Sequence, residues 1–465
     1  MTSIAPLKRV GTTAQRLAHK PYEKRLCRIE SHYPPPPDPG GKQTVSITPE
    51  EYVEVIDDCG YEVIVISGEH NRGTPRFPSK IFTRHPELKD DLLPRFIELC
   101  HENGIVVLSY YPIIFSKPLK EVHPEWLMQF LEDGRPEPEN EGWFCFNSPF
   151  RDWLPGCLHE YMELLDIDGL YFDDVNWGSH ANGPYTPSCC CSYCQKLFYE
   201  ETGFEVPRKI DFNSKDFRHF VNWRYKKLTE FLHHLFSSVR KQYPDAILDM
   251  NTYYWPGSEW SQGHPLGSFR LEEVGGYSFV ECFPYSHRYL RTPSFVAKVL
   301  RATGTPFSLF SAGCQGLRGF SSAPYPEALG ESIFGMVALA HGGGTCGAPF
   351  GGSSVHEGYL YLTRDGHKQM FSEIKKRVDY VEGESLKYLA LHCSTQNRDF
   401  QPNEICKDVL ARHNWIGYLR QKFMFGAYEM LNRSQVPLDF VLDDQLVGEH
   451  LSAYQTLFLS NSACL

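Results

Sequence analysis

Asp168-Gly-Leu-Tyr-Phe-Asp-Asp-Val175 reads as a short buried strand that delivers two carboxylates, Asp173 and Asp174, at its carboxyl end. Within one loop it is followed by Cys189-Cys-Cys-Ser-Tyr-Cys194, a run of thiols with metal-ligand spacing. A strand with acids at its carboxyl end is the arrangement of a (β/α)8 barrel that keeps its chemistry on one rim.

The flanking sequence alternates between apolar runs and helical segments. Upstream, strands are predicted at Leu26–Ile29, Tyr61–Ser67 and Ile105–Tyr111, with helices ending at Cys59-Gly60 and Asn103-Gly104 between them. Downstream, strands are predicted at Ala246–Asn251, Tyr277–Cys282, Phe307–Phe310 and, weakly, Thr345–Pro349, with helices over 217–243, 293–303, 326–341 and 367–381. Eight such alternations predict a (β/α)8 TIM barrel over 25–385, with a doubly wound sheet as the runner-up, after a basic lead-in at 1–24. Residues 386–465 start a new alternation, with strands at Lys387–His392, Leu438–Val441 and Gln455–Leu459 and one helix from Ile416. That is part of an open, flavodoxin-like α/β domain, and its unpaired edge calls for a partner or for more chain.

Composition narrows the function classes. The 465 residues carry 46 basic and 57 acidic side chains, a formal charge of −11, which argues against nucleic acid or an anionic membrane as partner. No secretory signal and no apolar run of membrane-spanning length is visible. Fifteen cysteines, an odd number spread along the chain, fit reduced thiols, so a cytoplasmic location is expected. Aromatic residues make up 14%, which serves core packing or, at a pocket wall, platforms for flat sugar faces.

Cys189, Cys191 and Cys194 form C-x-C-x-x-C, three thiolates for a tetrahedral structural Zn2+. Cys145, just ahead of the helix that leads into the Asp173 strand, is the candidate fourth ligand, and Cys190 is expected to point away. Cleavage of a glycosidic bond needs two carboxyl groups. Asp173 and Glu281, the latter at the end of the sixth strand, are the candidate pair, with Glu69 as the alternative acid. Glu69, His70, Asp174, Trp177, Asn251, His341, His32 and Tyr110 are candidate substrate-binding residues, read as strand-end groups around a polar pocket with aromatic walls. Neither Gly342-Gly-Gly-Thr345 nor Gly351-Gly-Ser-Ser354 has phosphate-loop spacing, and no Gly-x-Ser-x-Gly elbow occurs.

Cys145-Phe-Asn-Ser-Pro149 together with Cys189–Cys194 and Gln195-Lys-Leu-Phe198 resembles the four-cysteine zinc site of family-42 β-galactosidases. The stretch Leu457–Leu465 resembles the start of their trimerisation domain, which implies a homo-oligomer, dimer or trimer. Gly169-Leu-Tyr-Phe-Asp173, with Pro86, Asp91 and Cys100-His-Glu-Asn-Gly104, is similar to barrels that include the family-29 and family-151 α-L-fucosidases. That resemblance implies a nucleophile role for Asp173. Two departures bear on the alternative: Asp174-Val175 stands where family 42 has Asn-Glu, and the seventh strand leads to Ser311-Ala-Gly-Cys314 without a carboxylate. The expected function is therefore that of a retaining, α-L-fucosidase-like glycoside hydrolase acting on a carbohydrate, with structural zinc. The alternatives are a β-galactosidase-like hydrolase, a non-catalytic carbohydrate-binding barrel and a catalytic metal.

Overall fold

A computed structural model describes residues 27–30, 48–68, 75–84, 92–114, 116–136, 142–173, 175, 177, 188–209, 211, 213–251, 277–282, 291–311, 328–347, 357–381, 383–394, 396–397, 416–460 and 462. Eight parallel strands close into a barrel in chain order: β1 (Cys27–Glu30), β2 (Val63–Ser67), β3 (Val106–Pro112), β4 (Gly169–Asp173), β5 (Ile247–Asn251), β6 (Tyr277–Cys282), β7 (Phe307–Ser311) and β8 (Gly344–Gly347). Pairing of β1 with β8, Arg28 opposite Cys346, completes the ring. The helices around it are α1 (Pro49–Cys59), α2 (Leu92–Glu102), α3 (Lys117–Val122), α4 (Phe150–Leu164), α5 (Ser192–Thr202), α6 (Lys215–Gln242), α7 (Arg291–Thr303), α8 (Ala328–Ala340) and α9 (Glu357–Arg377).

Local chemistry accounts for these boundaries. At α1 the Thr48 hydroxyl accepts from Glu51 N–H while the Glu51 carboxylate accepts from Thr48 N–H at 2.9 Å, a reciprocal cap, and Gly60 ends the helix at φ 85°. Gly169 opens β4 where a Cβ would meet the Ile247 carbonyl oxygen at 2.0 Å, so only glycine lets β4 and β5 approach there. Below it, Asp168 is fully buried: its Oδ2 accepts Val107 N–H at 2.9 Å and lies 3.0 Å from His101 Nε2, tying α2, β3 and β4 together.

Strand alternation sets what faces the barrel axis. Leu170 and Phe172 of β4 pack outward in the same core as Val107, Leu248 and Met250, and the Phe172 and Phe236 rings stack at 5.5 Å. Tyr171 and Asp173 therefore face the barrel interior, as do Tyr110 of β3 and Asp249 and Asn251 of β5. Along this side the interior is polar towards the carboxyl ends.

A second sheet follows, all parallel, in the order β10 (Leu438–Leu442), β9 (Leu389–Cys393), β11 (Thr456–Phe458), with α10 (Ile416–Arg433) between β9 and β10 and the short α11 (Gly448–Leu451) before β11. First strand central, second and third on either side is how a flavodoxin-like sheet begins. It docks on α7: Phe295, Val296 and Leu300 share one core with Leu391, Tyr428 and Phe440. Lys298 Nζ donates to Leu438 O at 2.7 Å, and Tyr428 Oη donates to Ser294 Oγ at 2.6 Å. Among the described residues no helix is long and apolar enough to cross a membrane.

Candidate active site and thiol cluster

Asp173 closes β4 opposite Pro112 of β3, and its carboxylate is held from both neighbouring strands. Tyr110 Oη donates to Oδ2 at 2.8 Å and Asn251 Nδ2 donates to Oδ1 at 3.0 Å. Each oxygen thus has a fixed donor, and the residue is 9% exposed at the carboxyl end of the barrel. A carboxylate oriented in this way suits a nucleophile or an electrostatic stabiliser. The rings of Tyr110 and Tyr171, 5.9 Å apart, form part of the wall beneath it.

The four predicted metal ligands come together. Cys145 lies in the turn before α4, Cys189 and Cys191 precede α5, and Cys194 is in its first turn. Their Sγ atoms all lie within 4.8 Å of one another, Cys145 and Cys194 at 3.4 Å, and each residue is at most 1% exposed. A tetrahedral ion with metal–sulfur bonds of about 2.3 Å needs sulfurs about 3.8 Å apart. Backbone N–H groups of Gln129 and Cys191 reach Cys189 Sγ, Asn147 N–H reaches Cys145 Sγ, and Asn147 Nδ2 reaches Cys194 Sγ, at 3.3–3.4 Å. Such donors neutralise thiolate charge, so the donor set fits a metal. Hydrogen bonds from Cys145, Cys189 and Cys194 pull the Cys191 thiol far down, while burial pushes Cys145 and Cys194 up. Four thiolates would fill a tetrahedral shell, which leaves such an ion no open position for catalysis.

Cys190 does turn away: its Sγ donates to Phe130 O, Arg208 donates to it at 2.9 Å, and burial raises it to about 11.

Two predicted pocket residues lie elsewhere. Trp177 is fully buried, its Nε1 donates to Arg224 O at 2.7 Å, and its ring packs against Phe146 and Trp223. It is a packing residue behind the loops and presents no face to a sugar. His341 caps the end of α8, in the turn that leads into β8, and so lies at the amino-terminal end of the barrel, away from Asp173. There its Nε2 meets Ser294 Oγ at 2.8 Å, and burial depresses it to about 3. Glu281 occupies the fifth position of β6, its backbone paired with Phe310 of β7, and its side chain lies outside the described residues. His32, Glu69, His70 and Asp174 also lie outside them. Arg224, unremarked in the sequence reading, is buried beside Trp177. Its signal was a charge within the apolar stripe Phe217, Phe220, Val221, Leu228 of α6.

Residues 48–174 match the family described as hypothetical glycosyl hydrolase 6. That span runs from α1 to just past Asp173. Solved structures share the fold. An α-L-fucosidase isoenzyme 2 from Paenibacillus thiaminolyticus is 19% identical with a TM-score of 0.66, over 93% of this chain and 59% of its own. A β-galactosidase from a Rahnella species is 14% identical (TM-score 0.65; 94% of this chain, 67% of its own), and the family-42 β-galactosidase Gan42B from G. stearothermophilus 13% (0.64; 94% and 67%). The chain thus spans about three-fifths of the fucosidase's length. No curated protein matches the sequence. Family match and fold agree with the glycosidase-like barrel group that the sequence resembles.

Proposed function

We propose that the protein is a retaining exo-glycosidase, acting on an α-L-fucoside in the first instance, with Asp173 as nucleophile and Glu281 as general acid/base. The observation that carries this reading is the Asp173 carboxylate at the carboxyl end of β4, held by Tyr110 and Asn251. Attack by Asp173 on the anomeric carbon expels the leaving alcohol, to which Glu281 gives a proton. Water activated by Glu281 then cleaves the glycosyl ester. Glu281 lies two residues beyond Phe279, the β6 residue that pairs with Asn251, and so nearer the rim. Glu69 is the alternative acid, from the loop after β2.

The thiol cluster is read as a zinc site that holds the loops after β3 and β4 in place around Asp173. Residues 25–385 then carry the reaction, and 386–465 form a partial trimerisation-like domain that makes the protein a homo-oligomer. Free thiols at Cys59, Cys100, Cys157 and Cys393, apart from the cluster, support a cytoplasmic location.

A panel of aryl glycosides, with the anomer of the first product followed by NMR, tests the reading. Asp173→Asn should lower turnover at least ~10³-fold, as expected for loss of a covalent nucleophile. Wild-type turnover of an aryl β-galactoside but not the α-L-fucoside would move the assignment to the second substrate. Turnover unaffected by Asp173→Asn would refute the mechanism, and none on any glycoside would leave a binding barrel.

A further inference from the structure

Cys145-Phe-Asn-Ser148 is a turn just ahead of α4. Ser148 closes it: its N–H donates to Cys145 O at 3.0 Å and its Oγ donates to the same oxygen at 2.7 Å. Asn147 is held inside that turn, and it bonds sulfurs from both segments of the thiol cluster. Its backbone N–H reaches Cys145 Sγ at 3.4 Å, and its Nδ2 reaches Cys194 Sγ, in the first turn of α5, at 3.3 Å. Cys189 Sγ receives backbone N–H groups, from Gln129 and Cys191. Among the described residues no cationic side chain bonds a cluster sulfur; the Arg208 guanidinium goes to Cys190 instead.

Four thiolates on a divalent ion leave a double negative charge, and each of these cysteines is at most 1% exposed. Water is kept from such a charge, so N–H dipoles must offset it. The Asn147 carboxamide shows where that offset is directed. Its Oδ1 is enclosed without a hydrogen-bond partner, an unfavourable state for a buried carbonyl. Turned over, the amide would set that oxygen against the Cys194 sulfur, acceptor against thiolate. The sulfur therefore dictates the orientation, because a donor gains more on a charged ligand than on a neutral thiol.

We infer that Asn147 is a positioning residue of the metal centre: its carboxamide offsets the Cys194 thiolate charge and ties that ligand to the Cys145 turn. This role rests on the zinc reading of the cluster.

The test compares the full-length wild type with Asn147→Ala and Asn147→Asp, the latter nearly the same shape with an acceptor in place of the donor. Zn2+ affinity is read by competition with a chromophoric chelator, and the sulfur-to-metal charge-transfer band after exchange of zinc for Co2+. Asn147→Ala should weaken Zn2+ binding at least ~10-fold, and Asn147→Asp more, because a carboxylate repels the thiolate. The Co2+ band should move to lower energy in Asn147→Ala, since a thiolate without its N–H donor gives up electron density more readily. A residue that only packs would leave the band in place. Affinity or band unchanged in a folded Asn147→Ala overturns the inference. Should neither variant fold, the wild type decides: with NMR-active cadmium in the site, proton–cadmium correlation should link the Asn147 carboxamide to the ion through Cys194 Sγ. Absence of that coupling is equally fatal. A wild type that holds none of Zn2+, Co2+ and Cd2+ removes the zinc reading and this role with it, whereas metal bound equally tightly by wild type and variants removes the role alone.

Discussion

Asp173 depends on two neighbours for its orientation, one on each adjoining strand: Tyr110 on β3 and Asn251 on β5. A hydrogen bond to a charged group contributes about 1.5–3 kcal/mol, so Tyr110→Phe and Asn251→Ala should each lower kcat by roughly 10- to 150-fold. KM should change little, because the loss falls on the reacting carboxylate; a change confined to KM would make these residues sugar contacts instead. Both were legible as strand-end polar groups, since alternation in β3 and β5 turns them towards the axis. Trp177 and His341 were read by the same rule and lie elsewhere. Trp177 follows a strand, but its ring is fully buried in the hydrophobic core. His341 ends a helix, and a helix end that precedes a strand faces the opposite side of the barrel. Arg224 escaped notice because a charge in a helical stripe reads as a solvated residue until burial is known.

Four cysteines from two separate segments of the chain bring their sulfurs within 4.8 Å of one another. Cys145, just before α4, meets Cys189, Cys191 and Cys194 at the start of α5. On the proposed zinc reading, the wild type holds one ion per chain, and Cys145→Ser should lower metal content and Tm by roughly 5–10 °C, measured by metal analysis and calorimetry. A variant that keeps both would reduce the cluster to packing. The C-x-C-x-x-C spacing was legible because it is local, whereas Cys145 was chosen from its place ahead of the helix that leads into the Asp173 strand, and only the fold brings it to 3.4 Å from Cys194.

Closure of the barrel joins residues some three hundred positions apart: β1 pairs with β8, and α9 packs against α1. Tyr61 Oη lies 2.6 Å from His367 Nδ1, and Asp58 pairs with Arg364 at 2.5 Å and Lys368 at 2.6 Å. Burial depresses His367 from 6.5 to about 4. A depressed histidine takes up its proton more readily in the unfolded chain, so its contribution is present above pH 6.5 and is lost as pH falls towards 4. The loss is on the order of 3 kcal/mol from a shift of this size. Unfolding by urea between pH 7 and 4 should show it, and His367→Gln should flatten the profile; an unchanged slope would place the pH dependence elsewhere. His341, depressed to about 3 between α7 and α8, has the same sign but titrates further towards acid.

The amino-acid sequence by itself determined the alternation of strand and helix, the barrel, the thiol spacing and the position of Asp173 at a strand's end. Each of these follows from periodicity and contacts within a few dozen residues. Tertiary structure decided that Tyr110 and Asn251 meet at Asp173, that Cys145 completes the thiol set, that Trp177 is core and that Arg224 is buried beside it. Those outcomes depend on burial and on distances between elements far apart in the chain, and neither exists until the ring closes.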